Sequence, residues 1–255
     1  MSATSPVDRR GGLITGGASG IGAATAARLR LAGMRIAIAD LQAPADDAAD
    51  LAIVADVAEP DVWPGIVARV TGELGGIDLV HLNAGVTCNV GDITAVDDDT
   101  YDRLMRVNVD HVFYGLRACT GALAARGGGH VVVTASLAGI TGFAHDPVYT
   151  LTKHAVVGLV RACADNLAAR GITVCAVCPG IVDTPLLGSD RDVLIDAGFP
   201  LLAADDIALA VEQIVEAGKP GECWYVQPGR DPGAYRFAGV PGPRVAGKEG
   251  MRPPL

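Results

Sequence analysis

The sequence predicts one doubly wound α/β domain, with a mostly parallel sheet of seven strands flanked by helices. Three observations carry this prediction. Short runs rich in Val, Ile and Leu alternate along the chain with longer helical patterns, the βαβα order of a parallel sheet. The short runs are continuously apolar, as strands buried on both faces are, and do not alternate with polar residues. Glycine supplies 33 of 255 residues while aromatics make up 4%, a composition suited to tight turns and to helices packed closely on a sheet.

The elements follow in order. GGLIT (11–15) is a strand ending in a glycine cluster, and a small-residue helix over 20–33 stops at Gly33. MRIAIAD (34–40) and LAIVAD (51–56) are the next strands, and Pro60 opens a helix over 60–74. IDLVHLNAG (77–85) is a fourth strand, followed by one long helix over 99–126. HVVVTAS (130–136) leads into a second long helix over 149–170. GITVCAVCPG (171–180), a helix over 203–217 and CWYVQPG (223–229) complete the pattern. The domain therefore spans 11–229, including the apolar segment 185–202, and no linker divides it. Between Pro228 and Leu255, 12 of 28 residues are Pro or Gly, so 230–255 reads as a tail and not as an element.

The net charge of −9 argues against nucleic acid or an anionic membrane as the main partner, since both demand basic surfaces. The opening MSATSPVDRRGG has no apolar core of a signal peptide, and no run of about 18 apolar residues occurs, so a soluble cytoplasmic protein is expected. Cys175 and Cys178 form a C-x-x-C inside an apolar strand. Three positions apart on a strand, their thiols face opposite ways, so they are expected to be reduced core residues and not a metal or redox pair. The histidines His81, His111, His130, His145 and His154 show no metal-ligand spacing.

The turn Thr15-Gly16-Gly17-Ala18-Ser19-Gly20-Ile21-Gly22 joins the first strand to a helix N-terminus. Backbone N–H groups and the helix dipole there attract an anion, and glycine lets a pyrophosphate reach the backbone. A glycine turn alone also has a purely structural reading. Asp40 ends the next strand, 18 residues past Gly22. A carboxylate there accepts the ribose hydroxyls of NAD and repels a 2′-phosphate, although a strand-end Asp can also be simply solvated. Ser136 closes the fifth strand run, Tyr149 lies 13 residues on, and Lys153 four further, so the phenol and ammonium share one helix face. Taken singly, these residues also read as a strand cap and the edge of an amphipathic helix.

Together these motifs resemble the short-chain dehydrogenase/reductase family from Leu13 to about Gly229. TGGASGIG matches its cofactor turn, Asp56-Val57 its adenine-contacting pair, and Asn83-Ala84-Gly85 its N-A-G segment, with Leu82 where Asn is commoner. Asn108 stands at the family's helix Asn, Ser136, Tyr149 and Lys153 at its catalytic trio, and Pro179-Gly180-Ile181-Val182-Asp183-Thr184 at its P-G-x-V-x-T segment. The resemblance implies a Rossmann-type fold and NAD(P)-dependent interconversion of a secondary alcohol and a ketone. Asp40 selects NAD. Catalysis would then fall to Tyr149 as acid/base, Ser136 on the substrate oxygen, Lys153 beside both the phenol and the nicotinamide ribose, and Asn108 holding a relay water. Cofactor contacts would come from Gly16, Ser19, Gly20, Ile21, Gly22, Asp40, Asp56, Val57, Asn83, Ala84, Gly85, Tyr149, Lys153, Pro179, Gly180, Val182 and Thr184.

The segment 185–202 is apolar and carries no basic cluster, which favours a steroid- or lipid-like substrate. Residues 136–158 are locally similar to 15-hydroxyprostaglandin dehydrogenases, but Asp146 stands where that branch has Gln. His145 and Asp146 are candidate pocket residues, with a solvated loop as the other reading. Two further functions stay open: a ketoacyl-type reductase, which Asp40 and the negative charge disfavour, and a non-catalytic NAD-binding scaffold or redox sensor, which the intact trio disfavours. The family builds dimers and tetramers through its two long helices, so a homo-oligomer, a homodimer or a homotetramer, is expected. Tyr235, Phe237 and Val240 in the basic tail are expected to anchor it across its own or a neighbouring subunit near the substrate mouth.

Overall fold

The computed structural model describes residues 11–239, Val245 and Met251. Strands β1 (Gly11–Thr15), β2 (Arg35–Asp40), β3 (Leu51–Val54), β4 (Leu79–Leu82), β5 (Gly129–Thr134), β6 (Ile172–Pro179), β7 (Cys223–Val226) and β8 (Gly233–Ala234) form one sheet in the order 3-2-1-4-5-6-7-8. All pairs are parallel except β7–β8. The order reverses between β1 and β4, and in open α/β sheets ligands bind at the carboxyl ends of the strands beside such a switch.

Strand side chains alternate between two core layers. Leu13, Val80, Val131 and Cys178 pack with α2 (Trp63–Leu74), α4 (His111–Ala125) and α5 (Pro147–Ala168). Ile14, Leu79, Val132 and Cys175 pack with α1 (Gly20–Leu31) and α7 (Ala204–Ala217). The continuous apolar runs have this cause: successive residues of one central strand enter different layers, and both layers are buried and apolar. Cys175 and Cys178 accordingly point to opposite faces, and both are fully buried free thiols.

Three features depart from the sequence reading. The helix expected over 99–126 divides into α3 (Asp98–Met105), a π-helical turn at Arg106–Asp110, and α4. The segment 185–202 is not uniform, since it folds into a short turn at Pro185–Leu187 and α6 (Asp190–Asp196). The sheet has eight strands because the start of the tail turns back: Gly233 and Ala234 pair with Tyr225 and Trp224, too short a pairing to leave a pattern in the sequence. Beyond β8, Phe237 packs against the core and lies under the Arg161 guanidinium at 3.8 Å, and Tyr235 meets Phe237 edge-on at 5.0 Å. Val240, Arg244, Lys248 and Arg252 lie outside the described residues. No helix among the described residues is long and apolar enough to cross a membrane.

Candidate active site

A cavity of about 920 Å³ opens over the carboxyl ends of the strands. The glycine turn forms one wall. Gly16 and Gly20 adopt left-handed conformations, φ +64° and +53°, that a side chain would strain. A Cβ on Gly16 would lie 2.8 Å from Ala84 Cα, and one on Gly22 would lie 2.2 Å from the Gly16 carbonyl oxygen. Asn83 holds the turn by donating from Nδ2 to the carbonyls of Thr15 (3.2 Å) and Gly16 (3.0 Å). Asp40 also braces it, accepting from Ala18 N at 2.9 Å while lining the cavity. A backbone cradle that a Cβ would fill, a helix N-terminus whose Ser19 makes no side-chain cap, and a carboxylate at the end of β2 fit a dinucleotide. Gly16, Ser19, Gly20, Ile21, Asp40, Asp56, Val57, Asn83, Ala84, Gly85, Pro179, Gly180, Val182 and Thr184 all line this one cavity. Gly22 does not, because its place is the close packing of α1 on the turn.

Ser136, Tyr149 and Lys153 line the same cavity. Ser136 follows β5 and caps the helical turn Leu137–Gly139, with Oγ accepting from Ala138 N at 3.1 Å. The Tyr149 phenol lies close enough to Ser136 for the serine hydroxyl to influence its titration. Lys153, one turn along α5, donates from Nζ to the Thr134 carbonyl at 2.8 Å and stands 5.4 Å from the Tyr149 ring centre. Burial pushes the phenol up to about 12, Ser136 pulls against it, and the charges of Asp146 and Cys178 add to the rise. Burial pushes Lys153 down to about 8, so its ammonium survives at neutral pH.

Asn108 lies behind this wall, in the π-helical turn. Its Oδ1 accepts from Val86 N at 2.8 Å, and its Nδ2 donates to Val86 O at 2.9 Å and Thr152 Oγ1 at 3.1 Å. Widening the helix by one residue aims the carboxamide sideways at β4's exit loop and α5. Gly85 lies between Asn108 and Lys153, and a Cβ there would meet Asn108 Oδ1 at 3.4 Å and Lys153 Nζ at 3.5 Å.

Asp146 is the functional residue whose position the sequence reading did not resolve. It lines no part of the cavity and is fully buried. Its carboxylate accepts from Thr87 Oγ1 (2.6 Å), Cys88 N (2.9 Å), Asn89 N (2.8 Å), Cys88 Sγ (3.1 Å) and Tyr149 N (2.9 Å). It thereby caps α5 at the turn that carries Tyr149 and pins loop 87–89, where Asn89 has φ +52°. Burial works against the carboxylate, but the hydrogen bonds from Thr87, Tyr149 N, Asn89 N and Cys88 outweigh it and hold it below its ordinary range. The visible signal was Asp146-Pro147, a cap residue followed by Pro at the first helical position. His145 does line the cavity, at its rim, with Nε2 3.3 Å from Asp190 Oδ2 of α6.

Two buried histidines lie beneath. Thr134 Oγ1 donates to Asn83 Oδ1 at 3.0 Å and therefore accepts from His81 Nε2 at 2.8 Å, which leaves the His81 Nδ1 lone pair unpartnered. His111 donates from Nδ1 to Val107 O at 3.0 Å and accepts from Thr15 Oγ1 at 2.9 Å. Both rings are held neutral.

The family model described as short chain dehydrogenase matches residues 12–193. The 3beta-hydroxysteroid dehydrogenase 2 of Eggerthella lenta is 38% identical over 184 residues, 68% of this chain and 70% of that protein. The cyclohexanol dehydrogenase of an Acinetobacter species is 34% identical over 185 residues, 69% of this chain and 74% of that one. Among solved structures, a 3-ketoacyl-(acyl-carrier-protein) reductase from Brucella melitensis complexed with NADH aligns with a TM-score of 0.80 at 27% identity, covering 88% of this chain and 99% of that one. The chain belongs to the short-chain dehydrogenase/reductase family. It is an oxidoreductase of alcohols and ketones that uses a nicotinamide cofactor. The likeness of residues 136–158 to 15-hydroxyprostaglandin dehydrogenases stays a local one.

Proposed function

We propose that the protein is an NAD-dependent dehydrogenase/reductase of apolar secondary alcohols and ketones. The observation that carries this reading is that Ser136, Tyr149 and Lys153 line one wall of the cavity that the glycine turn closes, with Lys153 Nζ 5.4 Å from the Tyr149 ring centre. Ser136 holds the substrate oxygen, and Tyr149 gives a proton to it in reduction or takes one in oxidation. A bound nicotinamide cofactor would supply or accept the hydride. With its pKa pushed up to about 12, Tyr149 rests as a proton donor. Lys153, still an ammonium, stabilises the phenolate whenever it forms.

Asp40 favours NAD, because a carboxylate at the end of β2 repels a 2′-phosphate and, among the described residues, no Lys or Arg lines that end of the cavity. The substrate end is lined by Val86, Leu137, Phe143, Leu186, Val193 and Phe199, which suits an apolar skeleton. The relatives named for hydroxysteroid and cyclohexanol agree with it. The net charge of −9 weighs against the ketoacyl-type reductase reading, which calls for a basic docking surface. Asn108, bonded to Val86 and Thr152, fixes the π-helical turn and the back of the Lys153 site.

The test is turnover of NAD⁺ and NADP⁺ across secondary alcohols and steroids, with Tyr149→Phe as the control. Tyr149→Phe is expected to lose roughly 10²–10⁴ in kcat while still binding NAD. A variant with wild-type turnover would overturn the reading, and NAD binding without turnover of any alcohol would support a scaffold instead.

A further inference from the structure

A second cleft, of about 340 Å³, opens beside the large cavity. Leu137, Thr141 and Gln227 line both, so the two spaces adjoin at these three residues. The junction is close to the chemistry. Leu137 directly follows Ser136, and the Gln227 side chain lies against Gly180, where a Cβ would be 2.8 Å from Oε1. The far side of the cleft is formed by Tyr225, Tyr235 and Arg230.

Arg230 is exceptional in its surroundings. The large cavity has Lys153 on its wall, already committed to the Thr134 carbonyl, and His145, engaged with Asp190. The Arg230 side chain makes no hydrogen bond or ion pair among the described residues, in a chain with 29 acidic residues and 20 basic ones. Its backbone is nevertheless fixed. Arg230 N donates to Gln227 O at 3.2 Å, and β8 carries Tyr235 across the cleft, with Tyr235 N donating to Cys223 O at 2.7 Å. The cleft is lined mostly by carbon, with solvent-exposed Arg230 at its edge beside Tyr225, Tyr235, Gln227 and Thr141. The planar fork of N–H donors of a guanidinium matches the two oxygens of a carboxylate, and the apolar lining suits the carbon chain that leads to it. An ammonium group would find no carboxylate among these lining residues.

We infer that this cleft is a carboxylate subsite. The preferred substrates are then apolar hydroxy acids and their oxo acids, with the carbinol or carbonyl at Ser136 and Tyr149 and the anionic end at Arg230. This deepens the function proposed above and rests on it for the position of the reacting carbon.

The test compares oxo acids of two lengths, 4-oxocyclohexanecarboxylate and 7-oxooctanoate, each against its own methyl ester, with NADH at low ionic strength. At least one acid is expected to exceed its ester in kcat/KM by roughly ten- to hundredfold, the size of one charge-assisted hydrogen bond. Arg230→Gln is expected to bring that ratio close to one, with Arg230→Lys between. Ketone turnover with no acid preference, or a preference that survives Arg230→Gln, overturns the subsite while leaving the proposed function standing. Should no ketone turn over, calorimetric titration of cyclohexanecarboxylate and octanoate into the enzyme with NAD decides the matter separately. Binding lost in Arg230→Gln supports the subsite although the proposed function fails, and absence of binding in the wild type overturns it.

Discussion

Asp146 does for a loop what a metal ion does elsewhere: one buried anion gathers donors from two separate segments. Its two oxygens accept from Thr87, Cys88, Asn89 and Tyr149. Asp146→Asn keeps the shape but turns an NH₂ toward backbone N–H groups. A loss of about 1–3 kcal/mol in a denaturant titration is expected. It should also change the chemistry. The groups facing the phenol are Ser136, Cys178, Lys153 and Asp146 itself, and the Asp146 charge raises the phenol pKa. Removing that charge lowers it, so the acidic limb of the kcat/KM profile for alcohol oxidation should move to lower pH. A limb that stays in place while stability falls would mean that Asp146 is a brace only.

At the scale of elements, the informative departures are the π-helical turn and the start of the tail. Asn108→Leu removes three hydrogen bonds to Val86 and Thr152, and lower kcat together with a loss of about 2 kcal/mol or more is expected. Unchanged thermal unfolding and kcat would sink the bracing role. Truncation after Arg230 removes β8 and Phe237 from beneath Arg161 and should lower Tm by several degrees. An unshifted Tm would show the tail to be dispensable. The central strands were legible because burial on both faces leaves continuous apolar runs, while edge strand β3 buries only Leu51 and Ile53 and is apolar on its exposed side as well. The cavity lining was legible because Gly16, Asp40, Ser136, Tyr149 and Lys153 sit at strand ends and helix starts whose chemistry is local. The π-helical turn was not, since one extra residue in a helix barely disturbs its apolar spacing. Nor was the clamp on loop 87–89, because nothing local says that Asp146 and Cys88 meet 58 residues apart.

The whole molecule carries its pH dependence in its interior. Burial, with His111 nearby, pushes His81 down to about 3. Burial, with Lys153 nearby and Val107 opposing, pushes His111 down to about 4. Both rings bind a proton more readily in the unfolded chain, near pH 6.5. Stability is therefore complete above that pH and is lost as pH falls toward 4 and 3. Between pH 6.5 and 5 each histidine should cost about 2 kcal/mol, and His81→Val should remove roughly half of the slope in urea titrations at the two pH values. A wild type equally stable at both would refute this. The outer faces of α4 and α5 expose Phe113, Gly121, Leu151, Gly158 and Ala162. We propose that they join copies into a symmetric homo-oligomer, and a monomer in light scattering at micromolar concentration would refute it.

The two faces of the sheet carry their own chemical clocks. Cys175 lies in the layer shared with α1 and α7, while Cys119, Cys178 and Cys223 lie in the opposite one, all four inaccessible to solvent. A thiol that water cannot reach is alkylated only when its layer opens, so pulse labelling read by mass spectrometry times each layer separately. Equal rates would mean that the domain opens as a unit, and faster labelling at Cys175 would mean that the α1/α7 layer peels away first. The scaffold thus holds an intrinsic record of how it comes apart, readable without adding a probe.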